Sequence, residues 1–175
     1  MSKLLIVVDY QKDFVDGTLG FPEAAALEQP ILDKIAVYRQ AGDTVAFTFD
    51  THEANYLSTQ EGQKLPIEHT RRGTSGWELY GRVAGVIREG DLRFYKPAFG
   101  SADLFDYLRK HPFEQIELVG VVSSICVISN AILAKTAQPE TPLVVDAACT
   151  AGADVHLHKA ALDVMEGLQI TVTNR

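Results

Sequence analysis

Short, continuously apolar runs alternate along this chain with longer stretches in which apolar residues recur at helical spacing. Residues 4–8 (Leu-Leu-Ile-Val-Val) carry no polar side chain, the pattern of a strand covered on both faces. Residues 44–49, 116–122, 143–145 and 170–173 read the same way, and residues 92–95 form a weaker run. Between them, Ile31, Ile35 and Tyr38 share one helical face before Gly42, and Leu104 and Leu108 share another before His111-Pro112. Residues 126–135 and 155–165 add two more helices. Strand and helix in alternation predict an α/β fold: a mainly parallel sheet with helices on both faces, within one domain covering residues 1–175. The regular pattern breaks at residues 50–76, a long polar segment with little periodicity and two of the five histidines. Loops of that length in a compact domain are usually functional or disordered, and the two histidines favour function.

In open parallel sheets, ligands bind beyond the carboxyl ends of the strands. The residues just past the predicted strands are Asp9, Asp50, Lys96 and, at the turn after Val122, Cys126. Taken singly, each has a plainer reading. Cysteine is usually a small buried hydrophobe, an aspartate after a strand is often a turn cap, and a lysine is often a surface charge. Their arrival at one sheet edge points instead to covalent catalysis. The thiolate is the nucleophile, the carboxylate takes its proton, and the ammonium favours both anions. Cys126 in the first turn of a helix would also have its thiol pKa lowered by the macrodipole. Cys149, in Ala147-Ala148-Cys149-Thr150, has no nearby cation and reads as packing.

A second constellation lies in the long segment. Asp50-Thr51-His52 places a carboxylate and an imidazole on the same side of an extended chain, and His69 follows Pro66 closely enough to fold back. A carboxylate with two imidazoles suits one divalent ion, zinc first, with manganese or iron as alternatives. Glu61 is a candidate fourth ligand, although spacing alone does not select it over Glu53 and Glu68. His111, His156 and His158 have no acidic partner at ligand spacing and read as surface residues.

Composition narrows the partners. The 175 residues are 46% hydrophobic and 22% charged, which excludes disorder and coiled coil as the main state. Sixteen basic against 23 acidic residues give a net charge of −7, a poor footprint for nucleic acid or an anionic membrane, and no apolar run spans a bilayer. Two cysteines make no disulfide framework, and Met1-Ser2-Lys3 leads straight into a strand without a cleavage site. A cytoplasmic protein acting on a small molecule is the expectation.

These residues resemble a known superfamily. Asp9-Tyr10-Gln11-Lys12-Asp13-Phe14 is similar to the D-x-Q-x-D-F opening of the isochorismatase-like cysteine hydrolases, which include the nicotinamidases. Lys96 in Phe94-Tyr95-Lys96-Pro97-Ala98-Phe99 resembles the family's K-x-x-[FY] segment, and Gly120-Val121-Val122-Ser123-Ser124-Ile125-Cys126-Val127 its G-V-x-[ST]-x-x-C-V nucleophile turn. Asp146-Ala147 resembles the dipeptide closing the next strand. The resemblance implies a three-layer α/β/α domain with a six-stranded parallel sheet and an Asp9, Lys96, Cys126 triad. It also implies a cis Val121–Val122 peptide that turns the backbone amides of Val122 and Cys126 toward the substrate oxygen. The nicotinamidase-like branch implies a metal on Asp50, His52 and His69, with Glu61 as a further contact. The implied reaction is metal-assisted hydrolysis of nicotinamide, or a close heteroaromatic amide, to the acid and ammonia through a thioester, a step of NAD salvage. Alternatives are another amidase or ureide hydrolase of the superfamily, or an isochorismatase, against which Cys126 argues. Members often self-assemble, so a homo-oligomer is an expectation, although no stripe identifies an interface. Two departures stand out. Thr51 replaces the tryptophan common between the aspartate and histidine, and Leu65-Pro66-Ile67-Glu68 replaces the usual W-P-x-H. Phe14, Tyr56 and Trp77 are then the aromatic candidates for the substrate pocket.

Overall fold

The computed structural model describes residues 1–175. Its strands are β1 (Leu4–Val8), β2 (Thr44–Asp50), β3 (Leu92–Lys96), β4 (Ile116–Val121), β5 (Leu143–Ala151) and β6 (Thr171–Thr173). The helices are α1 (Lys12–Val15), α2 (Pro22–Ala25), α3 (Glu28–Gln40), α4 (Gln60–Lys64), α5 (Gly81–Gly85), α6 (Ala102–Lys110), α7 (Ile128–Ala137) and α8 (Val155–Gly167). The six strands form one sheet in the order β3-β2-β1-β4-β5-β6, and every pairing is parallel.

The side-chain period of two explains why β1 is apolar throughout. Leu5 and Val7 enter one core with Ile31, Ile35 and Tyr38 of α3, while Leu4, Ile6 and Val8 enter the other with Leu104, Leu108, Leu162 and Met165. All five β1 side chains are fully buried, so truncating one such as Leu5 to alanine costs about 2–5 kcal/mol. Helix α3 stops where the pattern says it should. Gly42 takes φ +76°, and the amides of Asp43 and Gly42 donate to the carbonyls of Tyr38 and Arg39, a Schellman ending. Gly120 is required for a different reason: with φ +109°, a Cβ there would lie 2.1 Å from the Val8 carbonyl oxygen. The close approach of β4 to β1 at the carboxyl edge depends on it.

Two expectations need correction. Strand β5 continues past Val145 to Ala151, absorbing a register shift opposite Leu118 and Gly120. Cys126 does not begin an ordinary α-helix but sits in a π-helical turn, Ser123–Val127, that feeds α7. The long polar segment holds α4 and two 3-10 turns, Tyr56–Ser58 and Ser75–Trp77. No helix is long and apolar enough to cross a membrane.

Candidate active site and metal centre

The strand order reverses direction between β1 and β4, and the reactive groups gather at the carboxyl edge beside that point. Asp9 follows β1 with φ 45°, a left-handed conformation that aspartate tolerates better than most residues. Its Oδ1 accepts from the Thr48 hydroxyl at 2.6 Å, and its Oδ2 lies 2.6 Å from Lys96 Nζ. Register explains the lysine's place: Lys96 ends β3 directly opposite Asp50 at the end of β2. Its ammonium is fully buried, 3.5 Å from Asp50 Oδ1 and donating to Cys126 Sγ at 3.4 Å and to the Ala98 carbonyl at 3.1 Å. Asn130 holds the thiol's own segment, donating from Nδ2 to the carbonyls of Cys126 and Phe99 and accepting from the Ser101 amide. The Val121–Val122 peptide is cis.

Burial pushes the Asp9 carboxyl above the usual range, and the Lys96 charge only partly offsets this. Burial likewise raises the Cys126 thiol, reinforced by the Asp9 charge and opposed by Lys96. A thiol activated by a helix dipole is therefore not what the fold builds. Complete burial of the thiol outweighs that effect. Lys96 is held above its ordinary value because its carboxylate neighbours outweigh the burial that lowers it, so it stays charged.

The second constellation meets the first through Asp50. One ligand atom from each of Asp50, His52 and His69 lies within 4.8 Å of the others. His52 Nε2 is 3.0 Å from Asp50 Oδ2 but makes no hydrogen bond of acceptable geometry, leaving a buried nitrogen without a partner. His69 Nδ1 sits 2.7 Å from the Ile67 carbonyl, which requires the proton there and leaves Nε2 with a free lone pair toward Asp50, 3.5 Å away. Glu61 Oε1 is 3.6 and 3.7 Å from the two Nε2 atoms. An orphaned imidazole nitrogen, a second lone pair and a carboxylate converging in a buried space fit a divalent ion of the zinc, manganese or iron type. Asp50 is placed by Gln11, which accepts from its amide and donates to its carbonyl, and by the Thr70 hydroxyl on Oδ2 at 2.5 Å. Asp13 accepts from the Thr70 amide at 2.7 Å. Burial works to raise Asp50, but the His52 imidazole beside it, the Lys96 charge and the Thr70 hydroxyl outweigh it and hold it low.

An isochorismatase domain family profile matches residues 3–175. The chain belongs to the isochorismatase family. The uncharacterized isochorismatase family protein PncA of Bacillus subtilis is 30% identical, over 75% of this chain and 78% of that protein. The pyrazinamidase/nicotinamidase of Streptococcus mutans superposes with a TM-score of 0.87 at 29% identity, covering 98% of this chain and 99% of that one. The zinc complex of the Pyrococcus horikoshii pyrazinamidase gives the same TM-score over 100% of both chains, at 23% identity, a likeness of fold.

For this isochorismatase-family chain, a cavity of about 270 Å³ opens beside Cys126, and Phe14, Asp50, Glu61, His69 and Val122 are among its walls. Of the three aromatic candidates, Phe14 lines this cavity. Tyr56 is not in that cavity: its ring packs behind both imidazoles, with centroids 4.6 Å from His52 and 5.0 Å from His69, and its hydroxyl donates to the Leu65 carbonyl. Trp77 lies outside it too. Its indole N–H donates to Thr51 Oγ1 at 2.9 Å and its ring stacks on Tyr95, which turns it to the outer flank of the sheet. Phe99 and Leu157, which hydropathy did not single out, line the Cys126 cavity instead. His158 is also not a free surface histidine, since its Nδ1 lies 2.9 Å from the fully buried Ser123 hydroxyl. Of the supporting polar residues, Gln11 and Asp13 were visible in the opening motif. Thr48, Thr70 and Asn130 gave no signal beyond a lone polar residue in an apolar or irregular stretch.

Proposed function

We propose that the protein is a metal-assisted cysteine amidohydrolase that converts nicotinamide, or a close heteroaromatic amide, to the acid and ammonia through a thioester. The observation that carries this reading is the contact of Lys96 with both Asp9 and Cys126 Sγ, at 2.6 and 3.4 Å, in a cavity that also holds Asp50 and His69. The relatives named nicotinamidase and pyrazinamidase support the same substrate class.

Asp9, raised in pKa yet paired with Lys96, takes the proton of the Cys126 thiol as the sulfur attacks the carboxamide carbon. The new C–S bond pushes the carbonyl electrons onto oxygen, and the backbone amides of Val122 and Cys126 hold that oxyanion. A donor of this kind typically contributes about 10²–10³ in kcat. Collapse breaks the C–N bond, and the proton held by Asp9 leaves with ammonia. Water then attacks the thioester, again giving its proton to Asp9, and release of the acid restores the thiol. Asp50, His52 and His69 would hold the ion, with Glu61 as the fourth donor, and the ion supplies a Lewis-acid anchor for a ring nitrogen. Phe14 provides an apolar wall for the ring.

The test is ammonia release from nicotinamide and from benzamide, which lacks the ring nitrogen, alongside elemental analysis. The reading expects hydrolysis of nicotinamide, poor turnover of benzamide and about one ion per chain. Asp9→Asn should lower kcat by about 10²–10⁴ with the fold intact. Refusal of nicotinamide by the metal-loaded protein would overturn the substrate assignment in favour of another amide or ureide.

A further inference from the structure

A second cavity adjoins the first. It measures about 600 Å³, against about 270 Å³ for the one beside Cys126, and the two share Glu61, Leu65, Phe99 and Ile125 as a common wall. The metal-site residues divide between them: Asp50 and His69 face the Cys126 side, His52 faces the other, and Glu61 faces both. The smaller cavity falls just under the roughly 300–1,000 Å³ of pockets that hold drug-sized ligands, whereas the larger lies well inside that range. A bare heteroaromatic carboxamide occupies the first and leaves the second unused.

The charges on the second cavity's walls are not equivalent. Glu53 is neutralised by Arg72, whose Nε lies 2.8 Å from its Oε1. Glu61 lies 3.6 and 3.7 Å from the imidazole nitrogens of His52 and His69, within the ligand cluster. Lys64, at the end of α4, has no ion-pair partner and is the one lysine or arginine on a wall that otherwise carries Glu53, Glu61, His52 and hydroxyl, amide and apolar groups. Thr51 and Asn55 also line that wall.

We propose that the second cavity is a substrate subsite for an anionic substituent, so that the protein acts on carboxamides whose ring carries a carboxylate on a short arm, with Lys64 as the counter-charge. This rests on the amidohydrolase reading for the placement of the amide at Cys126, and specifies which amides the site selects. The arm would cross the wall the two cavities share, beside Leu65, Phe99 and Ile125, toward the Lys64 side.

Binding to the zinc-loaded Cys126→Ser protein, followed by titration calorimetry, tests it without depending on turnover. The probes are nicotinamide, the ring isomers of carboxymethyl-nicotinamide, and their methyl esters, which have the same arm without the charge. At least one anionic isomer should bind on the order of tenfold more tightly than its ester, with the advantage shrinking as salt is raised. Lys64→Glu should abolish that advantage and leave nicotinamide unchanged, and Asn55→Trp should exclude acid and ester alike while still admitting nicotinamide. Equal binding of acid and ester for every isomer, no binding of either, or an advantage that survives Lys64→Glu overturns the subsite. Ammonia release from nicotinamide by the wild-type protein is read separately. If it fails while the Lys64-dependent advantage stands, the nicotinamide assignment falls and the subsite remains; the converse result removes the subsite alone.

Discussion

Replacing Lys96 with methionine removes the one cation placed between three groups that cannot easily be left alone. Its Nζ lies 2.6 Å from Asp9, 3.5 Å from Asp50 and 3.4 Å from Cys126 Sγ, and the Asp9 and Asp50 side chains are 0% and 4% exposed. Methionine matches the volume, so the packing loss is small. The cost is the uncompensated carboxylate, about 3–5 kcal/mol when one partner of a buried pair is removed, a large share of the ~5–15 kcal/mol that holds a domain together. The loss should depend on pH with a definite sign. Burial already sets the folded Asp9 pKa above its unfolded value near 3.9, so ionised Asp9 is costly at high pH and stability is gained as pH falls through the folded pKa. Without Lys96 the folded pKa rises further, and the window of gain opens at higher pH. Urea unfolding of wild type and Lys96→Met, both with chelator present so that metal binding does not contribute, should show the full loss at pH 8 and a clearly smaller one at pH 5. Adding Asp9→Asn to the variant should recover about 2 kcal/mol, a coupling in the range of contacting groups. A loss below about 1 kcal/mol, or one identical at the two pH values, would refute the buried-pair argument.

Four further outcomes are expected. Brief iodoacetamide treatment should label Cys126, which lines the cavity, well before Cys149, which packs in the core with Leu5 and Val7, and labelling of Cys126 should accelerate as pH rises; mass-spectrometric mapping reads both. Asn130→Ala removes three hydrogen bonds that tie the Cys126 turn to the segment around Phe99 and Ser101, and should cost about 2–4 kcal/mol in denaturant unfolding. Chelation should abolish turnover while leaving the far-ultraviolet circular dichroism near native, because two large cores flank the sheet independently of the ligand cluster. His52→Ala should lower the metal content measured by elemental analysis and raise KM for nicotinamide.

The central strands could be read directly because a strand covered on both faces leaves no room for polar residues, as β1 shows. The edge strand β3 was fainter because Arg93 and Tyr95 face outward, giving alternation in place of a solid run. Strand β5 ran beyond its legible end because Asp146, a residue that normally stops such a run, is satisfied within it by Lys34, the Ala148 amide and Asn174. The short helices α1, α2, α4 and α5 have too few turns to show a period. The reactive residues were legible because strand ends are positions, and position follows from the strand pattern. Their protonation was not, since the burial that raises Cys126 is a property of the assembled turn. Tyr56 and Trp77 lie outside the Cys126 cavity for reasons no local pattern announces: the Trp77 N–H bond to Thr51, for one, is a long-range contact.

The most direct measurement is the yield of ammonia and nicotinic acid from nicotinamide by the zinc-loaded protein, run beside the chelated protein and Cys126→Ala. The account predicts equal amounts of both products from the loaded wild type, and neither product from the chelated protein or from Cys126→Ala. Undiminished release by Cys126→Ala, or by protein shown to hold no metal, would contradict it.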